Sequence, residues 1–222
     1  MIWFTADWHL GHRGILAHAA RPWKDTDEMD FYLTDMLIRT LGPGDRLYLG
    51  GDMAWRKPQL EYLLSLCPVE TFAILGNHDK PFRKIYEAHC KWVGNLLDTN
   101  IEGQSVTISH YAMRVWNKSH YGAWNLYGHS HGSLPPIGMQ YDIGIDNNNL
   151  NMLNWEMIKH IMAEQAKDER FDLIEEAEKL ITAAGPLAWC HHGPVLVEEA
   201  YEWEKKAKIW LDKKEQLVKR QR

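Results

Sequence analysis

Leu75-Gly76-Asn77-His78-Asp79 follows directly on the apolar run Thr71-Phe72-Ala73-Ile74, and no other stretch restricts the fold of this chain as much. A β-branched and aromatic run closed by Gly and Asn predicts a buried strand ending in a tight turn, one that presents an amide, an imidazole and a carboxylate together. The arrangement recurs four times. Ile2-Trp3-Phe4-Thr5-Ala6 leads to Asp7 and His9, and Leu47-Tyr48-Leu49-Gly50-Gly51 leads to Asp52. Val106-Thr107-Ile108-Ser109 leads to His110, and Trp124-Asn125-Leu126-Tyr127-Gly128 leads to His129 and His131. Five strands thus carry polar chemistry at their carboxyl ends, where open α/β sheets place ligand sites. Asp, His and Asn offer oxygen and imidazole nitrogen with no thiolate among them, a donor set suited to zinc, manganese, iron or nickel.

Between these strands the apolar period changes to that of helices. Asp25 is an N-cap candidate with Glu28 three residues on, and Met29, Leu33, Met36 and Leu37 follow at helical spacing. Leu41-Gly42-Pro43-Gly44-Asp45 breaks that helix, and Pro58 opens a second one through Leu60, Leu63, Leu64 and Leu66. Strand, helix, strand, helix, strand is the alternation of a parallel sheet. A short helix is expected from Pro81 to about Cys90, with Ile85 and Ala88 inward. Val93 to Leu97 and Ser105 to Ser109, around a turn-rich stretch with Asp98, Asn100 and Gly103, predict an antiparallel hairpin, so the sheet system is mixed.

The order D-x-H, G-D, G-N-H-D, a lone His and G-H-x-H, each motif behind a strand, resembles the calcineurin-like metallophosphoesterase family. The motifs span Asp7 to His131, and the resemblance extends to about residue 160 through Tyr141-Asp142-Ile143-Gly144-Ile145-Asp146. It implies an α/β fold of two packed mixed β-sheets flanked by helices. It also implies two divalent metal ions, manganese first, with iron, zinc and nickel as alternatives. Asp7, His9, Asp52 and His131 would bind one metal, and Asp52, Asn77, His110 and His129 the second, with Asp52 bridging. The implied reaction is hydrolysis of a phosphate ester by in-line attack of a metal-bridging hydroxide, most readily of a small nucleotide-like phosphodiester. His78 is the general-acid candidate and Asp79 its orienting partner. A metal-dependent nuclease on DNA or RNA and a non-catalytic scaffold of the same fold are the alternatives.

Substrate contacts are sought in the loops. His12 and Arg13 sit in the donor-rich Trp8–Gly14 loop, where His12 is either a pocket residue or a surface histidine. Arg21 is either a phosphate fork or an exposed arginine before Pro22. Tyr111 to Gly122 is a long loop of aromatics and cations in which Arg114, Trp116, Lys118 and His120 either form a substrate wall or simply pack down.

From Trp155 the sequence turns charged and helical. Phe171, Ile174, Ala177, Leu180, Ile181 and Ala184 share one face, and Ala200, Trp203, Ala207, Trp210 and Leu217 share another. The expected division is a phosphoesterase domain over 1–165 and a helical extension over 166–222, packed on the core or at a homo-oligomer interface. His191-His192 has no partner motif and reads as a loop. A net charge of −5 argues against a protein that coats nucleic acid and for a small phosphorylated substrate. Cys67, Cys90 and Cys190 are scattered without C-x-x-C spacing, no signal-peptide pattern or membrane-length apolar run is present, and the expected location is the cytoplasm.

Overall fold

Among the described residues, nine strands fall into two sheets. In a computed structural model that describes residues 1–67, 69–135 and 137–167, β1 (Ile2–Thr5), β2 (Arg46–Leu49), β3 (Glu70–Ile74) and β4 (Trp92–Gly94) are parallel neighbours, and β9 (Leu153–Asn154) closes the other edge antiparallel to β1. The second sheet has the order β5-β6-β7-β8, from β5 (Leu96–Ile101), β6 (Gln104–Ser109), β7 (Trp124–Tyr127) and β8 (Gln140–Asp142). Helices α1 (Arg13–His18), α2 (Thr26–Thr40), α3 (Lys57–Ser65) and α4 (Arg83–His89) follow in the connections, and residues 155–167 form α5. These residues make a compact unit over Met1–Ala166. The helices expected beyond residue 167, Cys190 and His191-His192 lie outside the described residues, as does the oligomer interface expected there.

The near-continuous apolar character of β1 to β3 follows from burial on both faces. Leu47 and Leu49 face a core shared with Met29, Leu33 and Leu37 of α2 and Leu60, Leu63 and Leu64 of α3. Tyr48, between them in sequence, faces the opposite core with Phe4, Ile74, Ile108 and Leu126, so this second core lies between the sheets. Phe4, Tyr48 and Phe72 stack in sequence across β1, β2 and β3 with centroids 5.0 Å apart at each step. Each such ring contributes on the order of 1.5–3 kcal/mol by leaving water.

The helix signals hold in detail. Asp25 accepts from Glu28 N at 3.0 Å, and the Glu28 carboxylate accepts from Lys24 N at 3.1 Å, one residue earlier than a reciprocal capping box places it. Pro58 sits in the first turn of α3, where a missing N–H is harmless.

Three expectations change. Residues 13–18 form a six-residue helix rather than open loop, too short for apolar periodicity to show it. In α4 Ile85 packs against the core as expected, but its inward neighbour is Tyr86, fully buried, and not Ala88, which is exposed; the α-helix begins at Arg83, after a 3₁₀ turn at Lys80–Phe82. The hairpin is formed by β5 and β6, its turn reduced to Glu102 and Gly103, both left-handed (φ 50° and 91°), as a two-residue loop of this kind requires. Asp98 and Asn100 belong to strand β5. Val93 lies in β4, paired parallel to β3, and the chain changes sheet at Asn95.

Register then brings the motifs together. Thr5, Leu49 and Ala73 lie side by side on β1, β2 and β3, and Ile108 lies beside Leu126 on β6 and β7, so the polar residues after each strand emerge along one rim. An Ala6–Gly144 bridge joins the rims of the two sheets.

Candidate metal centre

Past the strand ends the backbone bends sharply. Asp7, His9, Asp52, His129 and His131 all take left-handed φ values between 47° and 69°, a conformation that non-glycine residues adopt at a cost of about 1–3 kcal/mol each and that clusters at functional sites. Cross-strand hydrogen bonds hold these bends: Asp7 N to Gly51 O, His9 N to Asp52 O and Gly128 N to His110 O, each at 3.0 Å. Two glycines are required by close approach. Gly51 has φ +103°, and a Cβ there would stand 2.5 Å from His110 Nδ1. A Cβ on Gly76 would run into the Asp52 carboxylate.

Three groups of side chains offer donor atoms that lie within 4.8 Å of one another: Asp7, His9 and His131; His9, Asp52 and His78; and Asp52, His110 and His129. Asp52 Oδ2 lies 3.3 Å from His110 Nε2 and 3.9 Å from the Nε2 atoms of both His9 and His78. His110 Nδ1 is fixed by Gly50 O at 2.9 Å, and its Nε2 faces Asn77 Oδ1 at 3.0 Å. His131 Nδ1 bonds Asp146 Oδ2 at 2.6 Å, which leaves its other ring nitrogen for a ligand. Asp7 Oδ2 accepts from His129 N at 2.8 Å, while Asp7 Oδ1 and both His9 ring nitrogens are buried without a hydrogen-bond partner among the described residues.

Orphaned donors of this kind fit a cation. Burial pushes the Asp7 carboxyl up to about 7 and the His9 imidazole down to about 3. A divalent ion would offset the first and accept from the second. Burial by itself would raise Asp52, yet the hydrogen bond and charge of His110, the His78 N–H and the charge of His9 together outweigh it and hold the carboxyl below its usual range. Burial likewise opposes charge on His110, but Asp52, with Asp7 and the Gly50 carbonyl, raises that imidazole to about 9. A pH dependence follows. Asp7 and His110 both have raised values in the folded state, so each stabilises the fold below its unfolded value and loses that contribution as pH rises, through about 7 and about 9 respectively. His9, lowered, acts only below its ordinary value. The chelated protein should therefore lose Tm between about pH 6 and pH 9, and divalent metal should abolish the loss. Thermal melts with and without chelator check this, and a flat apo profile would refute it.

Arg21 is not a phosphate fork. Its side chain is fully buried: the guanidinium pairs bidentately with Asp146 at 2.8 Å and donates to the carbonyls of Trp8 at 2.7 Å and Asp7 at 2.6 Å. It braces the bend that carries Asp7 and His9. Asp146, held to about 2 by His131 and Arg21 against the effect of burial, was the residue missing from the sequence reading, although it closes the Tyr141–Asp146 run.

Asp79 does not orient the His78 ring. Its Oδ2 accepts from Asp52 N at 2.6 Å and Gly76 N at 2.8 Å, and its Oδ1 accepts from Tyr86 OH at 2.7 Å, so it pins the Asp52 turn to the Gly76 turn. Tyr86→Phe should cost about 1–3 kcal/mol of unfolding free energy, because it leaves a buried carboxylate oxygen unpaired. Denaturant titration checks this; a change below about 0.5 kcal/mol would mean that water replaces the phenol.

Trp116 also leaves the substrate wall: it is buried, and its Nε1 donates to Ala123 O at 2.9 Å, anchoring the loop from beneath. Arg114 and Arg13 are exposed. His12 lies beside the centre, its ring 5.5 Å from His9 and stacked on Trp55, a residue the sequence reading passed over. Tyr111 stands 4.5 Å from His129.

Donors gathered on the carboxyl rim of two packed mixed sheets define a class, the metal-dependent hydrolases of phosphate esters. The chain belongs to the calcineurin-like phosphoesterase family, whose model matches residues 1–216, a longer reach than the motifs alone indicated. Gene 66 protein of Mycobacterium phage D29 is 26% identical over 177 residues, covering 65% of this chain and 87% of that protein. Among solved structures, AQ665 of Aquifex aeolicus, a protein of unknown function, superposes with a TM-score of 0.59 at 17% identity over 72% of this chain and 98% of its own. An archaeal phosphodiesterase matches with a TM-score of 0.40 at 12% identity over 70% and 93%.

Proposed function

We propose that this chain hydrolyses phosphodiester bonds in small nucleotide-like substrates with two divalent cations, manganese first, with iron, zinc or nickel as alternatives the donor set also suits. Asp7, His9, Asp52 and His131 would hold one ion; Asp52, Asn77, His110 and His129 would hold the other. The observation that carries the reading is Asp52 Oδ2, which lies 3.9 Å from His9 Nε2 and 3.3 Å from His110 Nε2, so that one carboxylate meets a histidine of each proposed set. Among these side chains a carboxylate is the one whose negative charge could serve two neighbouring cations at once. When bound, the ions would supply a readily deprotonated water and neutralise charge on the phosphoryl oxygens.

The remaining work falls to the chain's own side chains. His78 donates its backbone N–H to Asp52 Oδ1 at 2.9 Å, which fixes its place beside the centre, and its side chain is about one-third exposed at the rim. It protonates the leaving oxygen. Arg21 and Asp146 hold the Asp7 carbonyl and the His131 ring in position. Every proposed ligand precedes residue 132, inside the compact unit Met1–Ala166, so residues 1–165 are the catalytic domain and 166–222 an extension of it. Cys67 and Cys90 are free thiols that burial pushes up to about 12, which suits a reducing, cytoplasmic setting. No helix among the described residues is long and apolar enough to cross a membrane.

A metal-reconstituted screen across phosphomonoesters, cyclic and linear nucleotides, and single-stranded DNA and RNA tests the reading. Turnover of small nucleotide diesters is the expected result. Cleavage confined to DNA or RNA would make the protein a nuclease, and no turnover with both ions bound would make it a scaffold.

A further inference from the structure

Trp55 lies three residues beyond Asp52, and its backbone is fastened to the loop that carries His9: Trp55 N donates to Leu10 O at 2.8 Å, and Leu10 and Ala54 form a bridge. The His12 ring lies flat against the indole, with centroids 3.9 Å apart and planes within 8°. His78 meets the same indole at 4.8 Å, tilted by 53°. In spite of these neighbours Trp55 remains 40% exposed. A large aromatic surface, pinned by its backbone, backed by a parallel ring and left in water beside buried donors, is preorganised to stack on a flat partner, because little side-chain freedom is lost when the partner arrives.

We propose that Trp55, backed by His12, is the platform on which the base of a nucleoside leaving group stacks while its ester oxygen faces His78. The inference rests on the phosphodiesterase reading above and adds a subsite to it. Its direction comes from His78, which is at once the proton donor to the leaving oxygen and the neighbour of the indole, so a group that departs toward His78 departs across Trp55. Its chemical class comes from shape. A flat, fixed ring favours a planar aromatic partner over an alkyl chain, and stacking is tolerant of base identity, so the platform accepts any nucleobase. Tyr111, 51% exposed against His129, is the competing surface on the other side of the centre.

Equilibrium binding to the manganese-loaded full-length protein tests the assignment, with inorganic phosphate, ribose 5-phosphate and adenosine 5′-monophosphate as probes. The wild type should bind the adenosine compound about 10- to 100-fold more tightly than ribose 5-phosphate, the range that one stacked base supplies. Trp55→Ala should bring that ratio to near one with metal content intact, and Trp55→Phe should keep most of it. A wild-type ratio near one, or a ratio that survives Trp55→Ala, would overturn the platform, and so would a ratio that Tyr111→Ala abolishes instead. In those cases all three probes still bind the loaded centre. Failure of inorganic phosphate to bind it would overturn the phosphodiesterase reading itself, and the platform with it.

Discussion

Asp52→Asn should lose both metal ions and at least about a thousandfold in kcat, the consequence of removing several kcal/mol of charge stabilisation at the phosphoryl group. His9→Gln should lose one ion and less activity. The contrast comes from position. Asp52 Oδ2 faces His9 Nε2 at 3.9 Å and His110 Nε2 at 3.3 Å, while His9 shares no donor group with His110 or His129. Elemental analysis of each purified variant, alongside turnover on a nucleotide diester, makes the comparison. An Asp52→Asn protein that retains one full equivalent of metal and matches His9→Gln in rate would remove the shared carboxylate from the reading.

His78→Ala should divide substrates by leaving group. A nucleoside alkoxide is a strong base and must be protonated as its bond to phosphorus breaks, whereas a nitrophenolate departs unaided. The variant should retain both ions, lose on the order of 10²–10⁴ in rate on a nucleoside ester, and lose much less on a nitrophenyl ester. Equal losses on both would assign His78 to the phosphoryl oxygens as a charge stabiliser. Loss of an ion would mean that His78 ligates, an outcome the His9–Asp52–His78 group gives a geometric basis.

Much of the architecture was legible because its signals are local. Each of the five strands that lead to proposed ligands is a largely apolar run, and the ligands follow within a few residues of its end, so chain order and the carboxyl-end rule suffice to gather them. What stayed hidden depends on contacts distant in sequence. Arg21 reads as exposed, and Trp116 as either substrate wall or packing residue, because nothing beside them in the chain discloses that Asp146 and Ala123 wait to receive their donors. Asp79 was assigned to its neighbour His78, yet its oxygens turn toward Asp52 and Tyr86, and two carboxylates of the same type carry no mark in sequence of which will ligate and which will brace. The sheet change at Asn95 was missed for the same reason: an apolar strand does not state which sheet it joins.

The brace from Arg21 to Asp146 and the bond from His129 N to the Asp7 carboxylate join residues 125 and 122 positions apart. Contacts this remote in sequence reward the chain only after loop closure has been achieved, which makes them late events in folding. A nascent chain that has emerged only as far as β7 has Asp7, His9 and Asp52 but lacks His131 and the acid that orients it. On the proposed ligand set, high-affinity metal uptake is expected to mark the completion of folding rather than its beginning, with the ions binding finished molecules instead of nucleating partly folded ones.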